Sequence, residues 1–195
     1  MGPHRRGDKP EDMTSAYVRL SAVAAPALLL LYGVLRLIDG LDGHHGRGYL
    51  WNLGHTAFFL SFVLLAGLMV GLRNQIAGAS PRQRPLATAA MVAALLGAAA
   101  FLWVIVGDLF AAFPALPDAL QLIGPLLFQI GALTLLWQLV VARPPRLPFG
   151  SPVLVFAGFL AIALMLDLLP LGALLIGAGL APLALPAGVR QPVPR

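Results

Sequence analysis

Six stretches of nearly unbroken apolar sequence constrain this chain more than any motif in it. They run over about 17–38, 49–72, 86–107, 119–141, 152–169 and 171–189. A helix needs ~20 apolar residues to cross the hydrocarbon core of a bilayer. Each stretch is therefore read as a membrane-spanning helix. The composition agrees: 59% of the 195 residues are hydrophobic and 11% charged, and the mean hydropathy is +0.86. A soluble domain carries roughly 25% charged residues. The expected fold is an all-α, polytopic integral membrane bundle of six helices. A polar tail over 1–15 precedes it, one transmembrane domain covers 16–189, and a short tail covers 190–195.

Within the bundle, Pro26 is expected to kink the first helix. Ala and Gly in the third (Ala87, Ala90, Ala94, Gly97, Ala98) should let a neighbour approach closely. The sixth is short, and Pro182 and Pro186 leave a broken or re-entrant form open. Ala22-Val23-Ala24 has the residues of a signal cleavage site but lies before the apolar run, so the first segment is expected to stay as a helix.

Orientation follows from Lys and Arg, which collect on the cytoplasmic side of membrane proteins. With both termini inside, that side holds Arg5, Arg6, Lys9, Arg19, Arg73, Arg82, Arg84, Arg143, Arg146, Arg190 and Arg195; only Arg36 and Arg47 fall outside. The expected location is the cell membrane, with cytoplasmic N- and C-termini and membrane lipid as the surrounding partner. The net charge of +5 does not indicate nucleic acid, because the basic residues cap apolar runs and form no basic face. The absence of cysteine removes disulfides and thiolate sites.

The same orientation sorts the acids and histidines. Asp39, Asp42, Asp108, Asp118, Asp167, His44, His45 and His55 fall at outer helix ends or loops. The inner halves read as nearly plain Leu, Ala and Val. A site is therefore expected at the outer end, centred on the stretch from Arg36 to His55. Arg36 and Asp39 share a face of the last turn of the first helix and can pair; Arg36 snorkelling to headgroups is the plainer alternative. His55 lies ~9 Å inside the second helix, with Asn52 and Trp51 a turn above and Phe59 and Phe62 below. An imidazole at that depth needs a partner, whether for function or simply for packing.

Asp108 and Asp167 close the third and fifth helices. Asp167, with apolar flanks on both sides, is the stronger candidate for a carboxyl group poised for proton transfer. Asp108 is alternatively a hydrated loop residue. Gln121 and Gln129 share a stripe of the fourth helix, and Pro125 between them frees a carbonyl; they serve as interhelical hydrogen-bonding groups if not as a site. The adjacent His44 and His45 have no established metal spacing, so no metal or other cofactor is expected.

Asp39, His55, Asp108 and Asp167 are thus candidate catalytic groups. Arg36, Trp51, Asn52, Phe59, Trp103, Gln121 and Gln129 are candidate contacts to a lipophilic small molecule. Acids above a wall of aromatic rings suit isoprenoid cyclisation, because ring faces stabilise developing cations. In size and helical character the chain looks like the small membrane-integral terpene cyclases, a resemblance of architecture with no shared motif. A small proton-linked transporter, which would need to form a homo-oligomer, is an alternative. So is a non-catalytic membrane subunit.

Overall fold

Backbone stops and starts written into the sequence divide the described residues into six α-helices. The computed structural model describes residues 10–41, 46, 48–142 and 147–185. Helix α1 spans Pro10–Asp39 and α2 spans Tyr49–Ala79. Ser80 then turns extended (φ −148°, ψ 102°), as a residue before proline favours. A 3-10 turn at Pro81–Gln83 leads into α3, Arg84–Leu109. Helix α4, Asp118–Val141, begins after Pro117 with an acid in its first turn, where the helix dipole favours negative charge. Helix α5 covers Gly150–Leu164, a second 3-10 turn covers Leu166–Leu168, and α6 runs over Leu169–Ala184.

Several boundaries differ from the sequence reading. The polar start is helical from Pro10, so α1 reaches into the expected tail. Helix α2 continues seven residues past the expected 72, through Arg73, Asn74 and Gln75, because no Pro or extended residue stops it before Ser80. Helix α6 runs unbroken through Pro182 to Ala184. Among the described residues, five helices are long and apolar enough to cross a membrane, while α5 has 15 residues. At ~1.5 Å per residue, α5 is ~22 Å long.

Sequential helices pack as three antiparallel pairs, α1 with α2, α3 with α4 and α5 with α6. The pairs join through α2 with α3 and α1 with α6, and α4 closes the ring on α5 over a short stretch. Backbones approach closely at the α3–α4 seam, as its small residues led us to expect. A Cβ on Gly97 would lie 2.5 Å from the Gly124 carbonyl oxygen, and one on Gly131 would lie 2.6 Å from the Ala94 nitrogen. Only a residue without a side chain fits at either place.

Between the helices, aromatic rings form a continuous chain. Tyr32 of α1 stacks on Phe58 of α2 at 4.4 Å between centroids. Phe62 meets Phe101 of α3 at 4.2 Å and Phe128 of α4 at 5.3 Å. Phe128 in turn meets Phe159 of α5 at 5.5 Å. Around the outside, large apolar side chains such as Leu20, Leu96, Leu122, Ile130 and Leu174 are exposed. Such a surface matches lipid on the outside and an aromatic and aliphatic core within.

Candidate functional site at the His55 end of the bundle

Asp39, Tyr49, Leu109, Asp118 and Leu164 are helix ends that gather at one end of the bundle, the His55 end. The opposite end carries Ala79, Arg84 and Val141 and is called the Ser80 end. His55 sits on the second turn of α2 and is buried, with 2% of its side chain exposed. Its ring lies between two others. Trp51, one turn earlier, is 4.0 Å away between centroids, and Tyr32 of α1 meets it edge-on at 5.1 Å.

The two ring nitrogens of His55 have different partners. Nδ1 is 2.9 Å from the Trp51 carbonyl oxygen, and Nε2 is 3.5 Å from Asp108 Oδ2. A carbonyl oxygen only accepts, so Nδ1 carries a hydrogen. A bare Nε2 lone pair facing a carboxylate would be repelled. The two are joined by a hydrogen on one of them or by a third group set between them. The 3.5 Å separation is longer than a direct hydrogen bond, which leaves the pair open to a third group.

Asp108 stands at the last turn of α3, where the helix dipole disfavours an anion by ~0.3–1 kcal/mol. The sequence thus places an acid where helix stability does not ask for one, 3.5 Å from the His55 ring. The Trp51 indole Nε1 donates to the Asp108 carbonyl oxygen at 3.3 Å. That carbonyl is one of the last four of α3, which have no partner within the helix. Trp51 therefore supports both members of the pair, His55 through its own carbonyl and ring, Asp108 through its indole.

Asp108 also lines a cavity of ≈ 210 Å³ between α1, α2, α3, α5 and α6. Five of its lining residues are aromatic: Tyr32, Phe58, Phe62, Phe101 and Phe159. With 43% of its side chain exposed, Asp108 is open on one side while His55 is closed. It borders a second hollow as well, a cleft of ≈ 260 Å³ formed with Trp103, the 113–116 segment and Gln121. Arg36 is half-buried on α1, one turn beyond Tyr32.

The remaining candidates are distributed differently. Asp39 is half-buried at the end of α1. Asp167 is exposed on the Leu166–Leu168 turn and takes no part in the His55–Asp108 pair, although its neighbour Leu166 lines the cavity. Asn52 is exposed, its carbonyl accepting from Thr56. Gln121 is exposed and donates to the Leu116 carbonyl at 2.8 Å. Trp103 donates to the Pro114 carbonyl at 2.9 Å and packs on Phe113, so it orders the loop side. Gln129 is half-buried on α4.

Phe59 packs against the core while Phe58 lines the cavity, one position earlier on the helix. The signal for Phe58 was its spacing of three from His55. Phe101 and Phe159 carry no such signal, because only the packing of three helices brings them to the same space. Asp42, His44 and His45 lie outside the described residues. Among the described residues, no three His, Cys, Asp or Glu side chains come together as a metal site. Family models, curated proteins and solved structures provide no match to this chain.

Proposed function

We propose that this chain is a multi-pass cell-membrane protein that uses the His55–Asp108 pair for acid–base chemistry on a lipophilic, isoprenoid-like small molecule. In this reading all six helices cross the bilayer, both termini are cytoplasmic and the His55 end faces outward. The distribution of Lys and Arg supports that orientation, since eleven of thirteen fall on the cytoplasmic side. The short α5 is accommodated because Leu164 and Met165 at its far end are exposed and apolar, so their turn can rest within the lipid boundary.

The single observation carrying this proposal is the double position of Asp108, against His55 on one side and in the wall of an aromatic cavity on the other. A neutral polyene fits the chemistry of that cavity. The carboxyl group, or the imidazolium behind it, donates a proton to one carbon of a double bond, and a new C–H bond forms. The cation left on the neighbouring carbon faces the rings of Phe58, Phe62 and Phe101, whose negative faces stabilise it. Loss of a proton from an adjacent carbon back to the pair forms a new double bond and restores the starting state. The product is an isomer of the substrate, cyclised where a second double bond attacks the cation first. A cavity of ≈ 210 Å³ is smaller than the ~300–1,000 Å³ of whole-ligand pockets, so it takes the end of such a chain.

Purified protein in lipid nanodiscs, incubated with neutral isoprenoid polyenes in deuterated water, tests the reading. The expected product is an isomer carrying solvent deuterium on carbon, absent with Asp108→Asn. Folded wild-type protein that neither turns over nor binds any such polyene would defeat it.

A second reading is favoured by the burial of His55 and by the partners at both its nitrogens. The pair then only locks α2 to α3 in a non-catalytic membrane subunit. It predicts that Asp108→Asn and His55→Gln lower stability while no polyene binds.

A further inference from the structure

Gln138 is the buried side chain that the His55 end does not explain. It lies on the last turn of α4, at the Ser80 end, with 3% of its surface exposed. Neither Oε1 nor Nε2 has a hydrogen-bond partner in the protein. A carboxamide left so costs about 1–3 kcal/mol, and a leucine at that position would avoid the cost. The side chain borders a cleft of ≈ 340 Å³, formed with Ile76, Ala79, Ser80, Gln83, Val141 and Ala142. The unsatisfied amide and a hollow large enough for a ligand group thus coincide.

The walls of the cleft determine which chemistry it takes. Both α2 and α4 end there, at Ala79 and Val141. The final carbonyls of a helix lack partners within it and carry the negative end of its dipole. Ser80 satisfies one of them, donating its N–H to the Ile76 oxygen, and Ala142 makes no such cap on α4. Together with Gln138 Oε1, the cleft presents mainly acceptors at the negative ends of two helices. A ligand with several N–H donors and a positive charge complements it. Beside the cleft the charge is of opposite sign: exposed Arg82 and Arg84 are the chain neighbours of Gln83, which lines it. A bare cation would be repelled by that charge, whereas a cation joined to a phosphate is held at both ends.

We propose that this cleft binds the headgroup of a membrane aminophospholipid, with its primary ammonium hydrogen-bonded to Gln138 and the helix-end carbonyls and its phosphate at Arg82 and Arg84. The depth agrees with a lipid source. Gln138 is three residues from the end of α4, or ~5 Å along the helix, level with the headgroup boundary. The site is independent of the chemistry at the His55 end.

Two lipids with the same phosphate but different nitrogens test the assignment. The full chain is placed in nanodiscs of phosphatidylcholine containing a minority of phosphatidylethanolamine, and the lipids that stay bound are counted by native mass spectrometry. The primary ammonium is expected to be retained about tenfold over the quaternary one, which has no N–H to donate. Retention should fall step by step through the N-methyl and N,N-dimethyl headgroups. Gln138→Leu should abolish the preference without lowering the thermal midpoint in phosphatidylcholine. Equal retention of the two lipids by the wild type overturns the proposal, as does a preference that survives Gln138→Leu. Should that variant fail to fold, the methylation series on the wild type decides alone: a flat series overturns the assignment and a graded one sustains it.

Discussion

The two ends of the bundle bury polar groups in opposite ways. At the His55 end, the buried imidazole and its neighbours meet groups of the same chain: His55 meets Trp51 and Asp108, and Trp51 meets Asp108. At the Ser80 end, Gln138 is as deeply buried as His55 but has no partner within the protein. Partners fixed in advance suit proton transfer, where geometry must be in place before the substrate arrives. An unmatched amide beside a cleft suits binding, because a ligand then relieves a cost already present in the empty protein. Burial alone therefore does not distinguish a functional polar group. The identity of its partners does.

That contrast is broken most severely at His55. Replacing it with alanine empties the space between Trp51 and Tyr32 and leaves Asp108 at a helix end without its proton partner. We expect a loss of about 3 kcal/mol in denaturant unfolding in detergent, together with loss of turnover. Asp108→Asn is milder for stability, about 1 kcal/mol, because the carboxyl group is partly exposed and screened. Its turnover should nevertheless fall by roughly 10²-fold or more, as for a removed general acid. Equal loss of stability and activity in the two variants would erase the distinction between support and chemistry.

Trp51→Phe sharpens the comparison further, since it keeps a ring against His55 and removes the indole N–H from the Asp108 carbonyl. A loss of about 1 kcal/mol is expected, with turnover reduced less than in Asp108→Asn. At the other end the sign reverses. Gln138→Leu should leave stability unchanged or raise it by up to about 1 kcal/mol, seen as a higher unfolding midpoint in phosphatidylcholine. The smallest effect belongs to Asp167→Asn. Its side chain is exposed on a turn, and a change within about 0.5 kcal/mol is expected, with turnover preserved.

Much of this arrangement was legible before any coordinates. Apolar length identified the helices, because nothing else in the chain could satisfy a backbone in lipid. The acids and imidazoles at helix ends pointed to the end that holds the pair. Apolar flanks rank Asp167 above Asp108 in the sequence, while the structure sets Asp108 beside His55. Flanking residues describe a segment's own surface, whereas burial depends on which helix lies opposite, and opposite Asp167 there is none of the His55 cluster. Gln138 was read as part of a plain inner half because an isolated amide within Leu135-Leu136-Trp137-Gln138-Leu139 shows no pattern. Only the junction of α2, the Pro81–Gln83 turn and α4 reveals the cleft beside it. The extra turns of α2 that build that junction were also missed, since Arg73, Asn74 and Gln75 resemble the end of a membrane segment.

Proton exchange between His55 and Asp108, on which the proposed chemistry depends, is tested most directly by nitrogen-15 NMR of the histidine rings in bilayers, with the His55 signals assigned by their loss in His55→Gln. The account predicts that Nδ1 is protonated throughout the titration, and that the state of Nε2 changes when Asp108 is replaced by asparagine. An Nδ1 without its hydrogen, or an Nε2 signal indifferent to Asp108→Asn, would contradict it.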